Sequence, residues 1–209
     1  MSNDVFVITD HMDGKFSDVS FEMVGKAKEL ASALGGEAVA VVVGGGVSSD
    51  VFASDSTIQI DDAALNDFNP EAYAKVIEAL VKEKSPRLVM FGWTATGMDL
   101  AAWLSAKLGV PCAAYVKDIG ADLTMSCQAY GGKISADVAA EGDMAIAACL
   151  AGSFPVEAGQ GSTAATKIAS PVALDGLKIK FVEAIKPDGG DVDITAQTKL
   201  VSVGRGIGG

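Results

Sequence analysis

The chain has 209 residues, 49% of them hydrophobic, with 24 glycines, so it is long enough to bury a full core and too apolar to be disordered. Its formal charge of −11, from 27 acidic against 16 basic residues, argues against nucleic acid and anionic membrane surfaces as partners, because neutralising phosphate needs Lys and Arg. The longest apolar runs, AVAVVVGGGV and MAIAACLAG, are too short to span a bilayer.

A strand pattern, VFVITD, begins within five residues of the start, so no targeting segment is read. This first strand, residues 5–10, leads into a polar loop, HMDGKFSD, in which Ser17 and Ser20 are candidate helix caps. A helix follows to residue 34, with Met23, Ala27, Leu30, Ala31 and Leu34 on one stripe and Gly35-Gly36 as its stop. Residues 38–43 are continuously apolar and read as a central strand buried on both faces. After Gly44-Gly45-Gly46, the stretch VSSDVFAS is expected to form a short helix before a third strand at 57–60. Asn69 caps the next helix, Pro70 sits in its first turn, and Tyr73, Val76, Ile77, Leu80 and Val81 form its buried face until Pro86 ends it. Residues 88–111 then repeat the unit as strand (88–91), small-residue turn (92–97) and helix with Leu100, Leu104 and Leu108 on one face, before a short strand at 112–116.

This alternation predicts an α/β fold with a Rossmann-like parallel sheet. Beyond residue 116 the helical periodicity stops. Segments 123–129, 133–138, 144–150 and 177–185 read as short strands of an added β-rich antiparallel segment, with a tight turn at AYGGK. Residues 156–167 are expected to be an exposed loop. The tail reads as a strand at 200–203 running into Gly204-Arg205-Gly206, and a chain that builds a strand and stops on a glycine turn looks interrupted.

Few residues carry chemistry. Gly44-Gly45-Gly46 suits a phosphate loop, but neither GxGxxG nor a Lys-Ser/Thr pair accompanies it, so a plain loop after a central strand is the simpler reading. Thr94 and Thr96 precede a helix whose dipole offers about 0.3–1 kcal/mol to an anion, against about 4 kcal/mol for a millimolar site. Asp99, read in the first turn, would repel phosphate, so Thr94 or Thr96 is read as a cap. Asp10 and His11 are the obvious acid/base pair, yet His11 is the single histidine and has no nucleophile or metal cluster to serve. Cys112, Cys127 and Cys149 lie in apolar runs without a CxxC pattern and read as reduced packing residues. Trp93 and Trp103 read as packing or interface anchors. Arg205 between glycines is an anion-binding hint, since a guanidinium makes forked contacts to phosphate.

In order and spacing, VFVITDHMDG, PRLVMFGWTATGMDLAAWLSAKLGVP, QAYGGKISADV and TKLVSVGRGIGG resemble the α subunits of electron transfer flavoproteins over essentially the whole chain. The closing Ser-Val-Gly-Arg-Gly-Ile-Gly is similar to the branch serving anaerobic and nitrogen-fixation-linked electron bifurcation or acyl-CoA reduction. The resemblance implies a nucleotide-hydrolase-like N-terminal domain, here 1–193, and a linker strand at 194–209 opening a C-terminal FAD domain. It further implies a β subunit as partner, dehydrogenases as redox partners, and a carrier role rather than an enzyme's. Of the family's flavin-contacting residues only Arg205 has a match, so FAD is expected to be held mostly by a downstream domain. Where many relatives carry an Arg before a Gly-x-Phe turn, this chain has LAGSFP, with Ala151. A bacterial or archaeal cytoplasm is expected ahead of the mitochondrial matrix. The competing reading is a small adenine-nucleotide-binding module using residues 44–46 and 94–97; a weaker one is an oxidoreductase using Asp10 and His11.

Overall fold

Four stretches, VFVI, AVAVVV, LVMFG and AIAAC, contain no polar alternation, so they are stable only as strands covered on both faces. A computed structural model, which describes residues 2–12, 14–185, 194 and 197–207, places all four inside one sheet. In chain order the elements are β1 (Val5–Ile8), the small ribbon β2 (His11–Met12) and β3 (Lys15–Phe16), α1 (Asp18–Leu34), β4 (Ala38–Val43), β5 (Ser56–Ile60), α2 (Pro70–Lys84) and β6 (Leu88–Gly92). There follow α3 (Ala95–Leu108), β7 (Cys112–Ile119), β8 (Thr124–Ala129), β9 (Ile134–Ala139), β10 (Ala145–Cys149) and β11 (Ala165–Ile168).

The sheet order is β11-β5-β4-β1-β6-β10-β7-β8-β9. Neighbours are parallel from β11 through β7 and antiparallel at β8 and β9, which is the α/β class with an antiparallel addition. α1 covers one face through Met23, Val24, Ala27, Leu30 and Ala31. On the other face α2 and α3 bury Tyr73, Val76, Ile77, Leu80, Leu100 and Leu104.

Local chemistry ends each helix. Gly35 and Gly109 close α1 and α3 in the left-handed region, at φ 72° and 65°, where a side chain would be strained. Asn69 Oδ1 accepts the N–H groups of Glu71 and Ala72 at 3.0 and 3.1 Å, and Thr94 Oγ1 accepts that of Gly97 at 3.1 Å. α3 therefore starts at Ala95, and Asp99 lies exposed beyond its first turn, not within it.

Several expectations are corrected. The strand expected at 144–150 is not part of the antiparallel segment. β10 inserts between β6 and β7, parallel to both, because AIAAC is small and apolar on both faces and fits between two helix layers. Residues 156–167 are largely exposed, as expected, but they are not a free loop. Their glycines are points of close approach: a Cβ at Gly159 would overlap the Phe21 carbonyl, and one at Gly161 would press on Ala53. The segment packs a short turn (Val156–Gly159) on α1 and then pairs β11 with β5. The stretch after Gly46 forms no helix; Phe52 is instead buried against Phe16 and Phe21, at ring separations of 4.8 and 5.1 Å. Residues 177–185 and 200–203 join no ladder and run largely exposed. The expected boundary at 193/194 falls at 186–193, outside the described residues.

One buried charge holds the sheet's far side. Glu22 of α1 is 3% exposed, and its carboxylate accepts the backbone N–H groups of Gly152, Ser153 and Phe154 at 2.9, 3.0 and 3.2 Å. These donors follow β10 and have no other partner among the described residues, so removing the acceptor strands all three in a half-buried site. Glu22→Ala is expected to lower unfolding free energy by about 3 kcal/mol, and Glu22→Gln by about half of that, in a denaturant titration.

Candidate functional site

Strand order runs outward from β1 in both directions, to β4 on one side and β6 on the other, so the loops leaving β1 and β6 diverge. In open parallel sheets that divergence leaves a crevice at the strands' carboxyl ends, where ligands bind. Here the crevice has a volume of about 360 Å³ and is lined by Asp10, His11, Asn66, Asp67, Tyr73 and Thr96 among others. A larger, open hollow of about 570 Å³ lies beside it, between Asn69 and residues 174–181.

Asp10 is fixed from three directions. Its N–H donates to Ser20 Oγ at 2.8 Å, and the hydroxyls of Ser17 and Ser20 donate to its carbonyl at 3.2 and 3.1 Å. The two serines expected as caps therefore serve β1 more than α1: Ser17 holds the cap position but makes no side-chain cap bond. Thr96 Oγ1 donates to Asp10 Oδ1 at 3.1 Å, which places a carboxylate at the start of α3. Negative charge thus already occupies the helix end where a phosphate would sit.

His11 and Asp10 do not form a dyad. The imidazole Nε2 lies 2.8 Å from the Val43 carbonyl, and because a carbonyl only accepts, Nε2 carries the proton. The ring packs edge-on against Phe16 at 5.6 Å. His11 thus ties the end of β1 to the end of β4.

The glycines after β4 serve packing. Gly44, at φ 117°, leaves room for the Leu65 carbonyl and the Tyr73 hydroxyl. At Gly45 a Cβ would come within 2.6 Å of Asp61 Oδ1 and 2.7 Å of Asn66 Oδ1, so acidic and amide oxygens crowd this loop. Among the described residues, no lysine or arginine lines the crevice. Tyr73 donates to the Leu65 carbonyl at 3.0 Å, and burial, reinforced by Asp10 and Asp67, pushes its phenol up to about 12. The crevice does not fit the pyrophosphate of a flavin or nicotinamide dinucleotide.

Sequence reasoning missed the segment that crosses this region. Residues 177–185 pass over the first turn of α2, where Glu71 Oε2 accepts the N–H groups of Lys178 and Ile179 at 2.6 and 3.1 Å, and Asn69 Nδ2 donates to the Ile179 carbonyl at 2.8 Å. The Lys75 ammonium, 2.9 Å from Glu71 Oε1, and then these two N–H groups hold the Glu71 carboxyl at about 2. Beyond the clamp, Phe181 and Ala184 line the crevice. No local pattern encodes a contact between residues 107 or 108 apart.

Other candidates stand apart from the crevice. Arg205 lies in an exposed turn, Arg205–Ile207, and the guanidinium makes no hydrogen bond or ion pair among the described residues. Trp93 stacks at a tilt on Tyr115 at 4.3 Å, and Lys107 lies 4.9 Å over the Trp103 ring, so both tryptophans pack as expected. The three cysteines are free, and burial pushes all three thiols up, most of all Cys149 in β10. No group of described residues has the make-up of a metal site, and no described helix is long and apolar enough to cross a membrane.

A family model for the electron transfer flavoprotein domain matches residues 5–173. The chain belongs to the electron transfer flavoprotein family. It is 32% identical to an electron transfer flavoprotein subunit alpha of Clostridium acetobutylicum, over 98% of this chain and 65% of that protein. It is 28% identical to protein FixB of Clostridium saccharobutylicum, over 98% and 64%, and 27% identical to the lactate dehydrogenase (NAD(+),ferredoxin) subunit LctC of Acetobacterium woodii, over 97% and 51%. The chain therefore spans at most about 65% of these three relatives. Within this fold, the Asp10 carboxylate stands in the β1–β6 crevice at the start of α3.

Two outcomes follow from this geometry. Millimolar AMP, ATP or NAD is expected to leave the melting temperature unchanged, whereas a ligand at a hundred times its dissociation constant would add about 2.7 kcal/mol. Tyr73 holds its proton more tightly folded than unfolded, so its contribution is complete below about pH 10 and is lost as pH rises towards about 12. Tyr73→Phe is expected to flatten that part of the stability profile in denaturant titrations at pH 9 and 11.5.

Proposed function

We propose that this chain is the scaffold portion of an electron transfer flavoprotein α subunit, which pairs with a β subunit to shuttle electrons through FAD between dehydrogenases and an acceptor. The observation that carries this reading is the family match over residues 5–173, joined to relatives named electron transfer flavoprotein subunit alpha. The crevice supports a scaffold role, because Asp10 stands where a phosphate would bind and no lysine or arginine among the described residues lines the walls. FAD is then held chiefly outside the crevice, by a flavin domain following the 1–193 unit, with 194–209 as its opening strand. Arg205 is the residue of this chain assigned to the flavin, since its exposed guanidinium has the fork needed for an anionic group. FAD supplies the redox chemistry when bound. The chain's own contribution is to hold the subunits at fixed distance and to keep water and competing nucleotides out of the β1–β6 crevice. The reading further places the chain as a heterodimer subunit in a bacterial cytoplasm; its support is that the relatives are bacterial and several are named as subunits.

Co-expression with the β subunit of the same source tests the reading. A stable one-to-one complex is expected on size exclusion, whereas a chain that stays monomeric beside a folded β subunit would overturn it. When the flavin domain is supplied in the same polypeptide, Arg205→Ala is expected to weaken FAD retention about tenfold, the scale of one lost charge-assisted hydrogen bond. Unchanged FAD affinity would remove Arg205 from the site.

A further inference from the structure

Residues 177–185 are held to the domain in an unusual way for a segment that crosses a crevice. Packing contributes little. Ile179 and Phe181 are 47% and 46% exposed, Val182 and Ile185 are 87% and 88% exposed, and the hollow of about 570 Å³ opens where Ile179 and Phe181 meet Asn69. The described polar attachments concentrate at one point, the first turn of α2. There Glu71 accepts two backbone N–H groups, from Lys178 and Ile179, and Asn69 donates to the Ile179 carbonyl. Each anchoring side chain has a second task that orients it. Asn69 caps α2 through Oδ1, which turns Nδ2 outward, and Glu71 is braced by Lys75. Immediately after this point, Phe181 and Ala184 form part of the wall of the β1–β6 crevice.

A segment with little buried apolar surface and one cluster of charge-assisted bonds opens as a unit when that cluster is released. We infer that residues 177–185 are a hinged strap, latched by Asn69 and Glu71, whose opening uncovers the crevice holding Asp10 and His11. The latch is a backbone recognition device. Glu71 and Asn69 read the N–H and C=O groups of residues 178 and 179, so the strap's side chains are free to contact whatever lies outside. The hinge lies after Leu177, which still packs partly against the α2 side of the core. This inference stands on the crevice and the clamp and does not depend on the electron-transfer reading.

Two positions separate the latch from the fold. Asn69→Asp keeps an oxygen to cap α2 but loses the Nδ2 donor, and Glu71→Ala removes the acceptor at a position where alanine favours helix. In the unaltered chain, the Lys178 and Ile179 amides are expected to exchange slowly with deuterium, and in both variants about tenfold faster, as loss of one such bond implies. His11, the single histidine of the sequence and a lining residue of the crevice, reports opening through its rate of modification by diethyl pyrocarbonate, read by peptide mass. That rate is expected to rise about tenfold in each variant, in step with amide exchange. Free-chain exchange of Lys178 and Ile179 in the unaltered protein would overturn the latch. Faster amide exchange with an unchanged His11 rate would overturn the lid. Because Asn69→Asp preserves the cap, a Glu71→Ala chain that failed to fold would leave the question to be decided by the aspartate variant alone.

Discussion

Asp10 is the joint on which the architecture turns. Just past β1, its backbone is gripped by Ser17 and Ser20 and its carboxylate by Thr96, so β1, α1 and α3 share a single anchor. The consequence for packing is that α1 and α3, on opposite faces of the sheet, are fixed relative to the same strand end. The consequence for chemistry is that the α3 end faces a carboxylate already in place. Coulomb attraction between a helix start and an anion is short-ranged and modest. Another anion arriving there meets repulsion from Asp10 in surroundings that contain no lysine or arginine among the described residues.

The same device recurs elsewhere in the molecule. Glu22 takes three backbone N–H groups after β10, Glu71 takes two from the strap, Asp50 takes the N–H of Ala165 at the start of β11, and Asp55 takes that of Ala38 at the start of β4. A chain of net charge −11 must either expose its carboxylates or find donors for them. This one spends several as acceptors for amide groups that secondary structure leaves over. Such bonds are charge-assisted and stronger than neutral ones, which lets long connections be held without strands or helices of their own. The acidic composition is in this sense partly structural, and it need not signal a cationic partner.

What the sequence made legible was whatever is encoded within a few residues. The caps at Asn69 and Thr94, the stop at Gly35, and the doubly buried strands 38–43 and 88–91 follow from side-chain chemistry and periodicity over short windows. The place of β10 was not legible, because a short apolar run does not say which neighbours it has, and the chain reaches β10 only after making the β8–β9 hairpin. Gly159 and Gly161 looked like flexible linker residues for a related reason. A glycine needed for close approach to another segment has the same letter as a glycine needed for freedom, and only the Phe21 carbonyl and Ala53 distinguish them. The site was harder still. Asp10 and His11 are adjacent in sequence and invite pairing, yet one turns to Thr96, 86 residues away, and the other to Val43.

These features bear on how one fold can serve as a carrier's scaffold. A parallel sheet of this topology offers a ligand crevice wherever strand order reverses, whatever the protein's role. A scaffold in which that crevice took up cellular nucleotides would acquire a conformational dependence on their concentration. Here the chain's own groups stand in for the ligand: Asp10 for its anion, His11 as a tie between β1 and β4, and Phe181 with Ala184 as part of the wall. The buried core lies within residues 5–173, which the family model matches, whereas the strap and the turn that bears Arg205 are largely exposed.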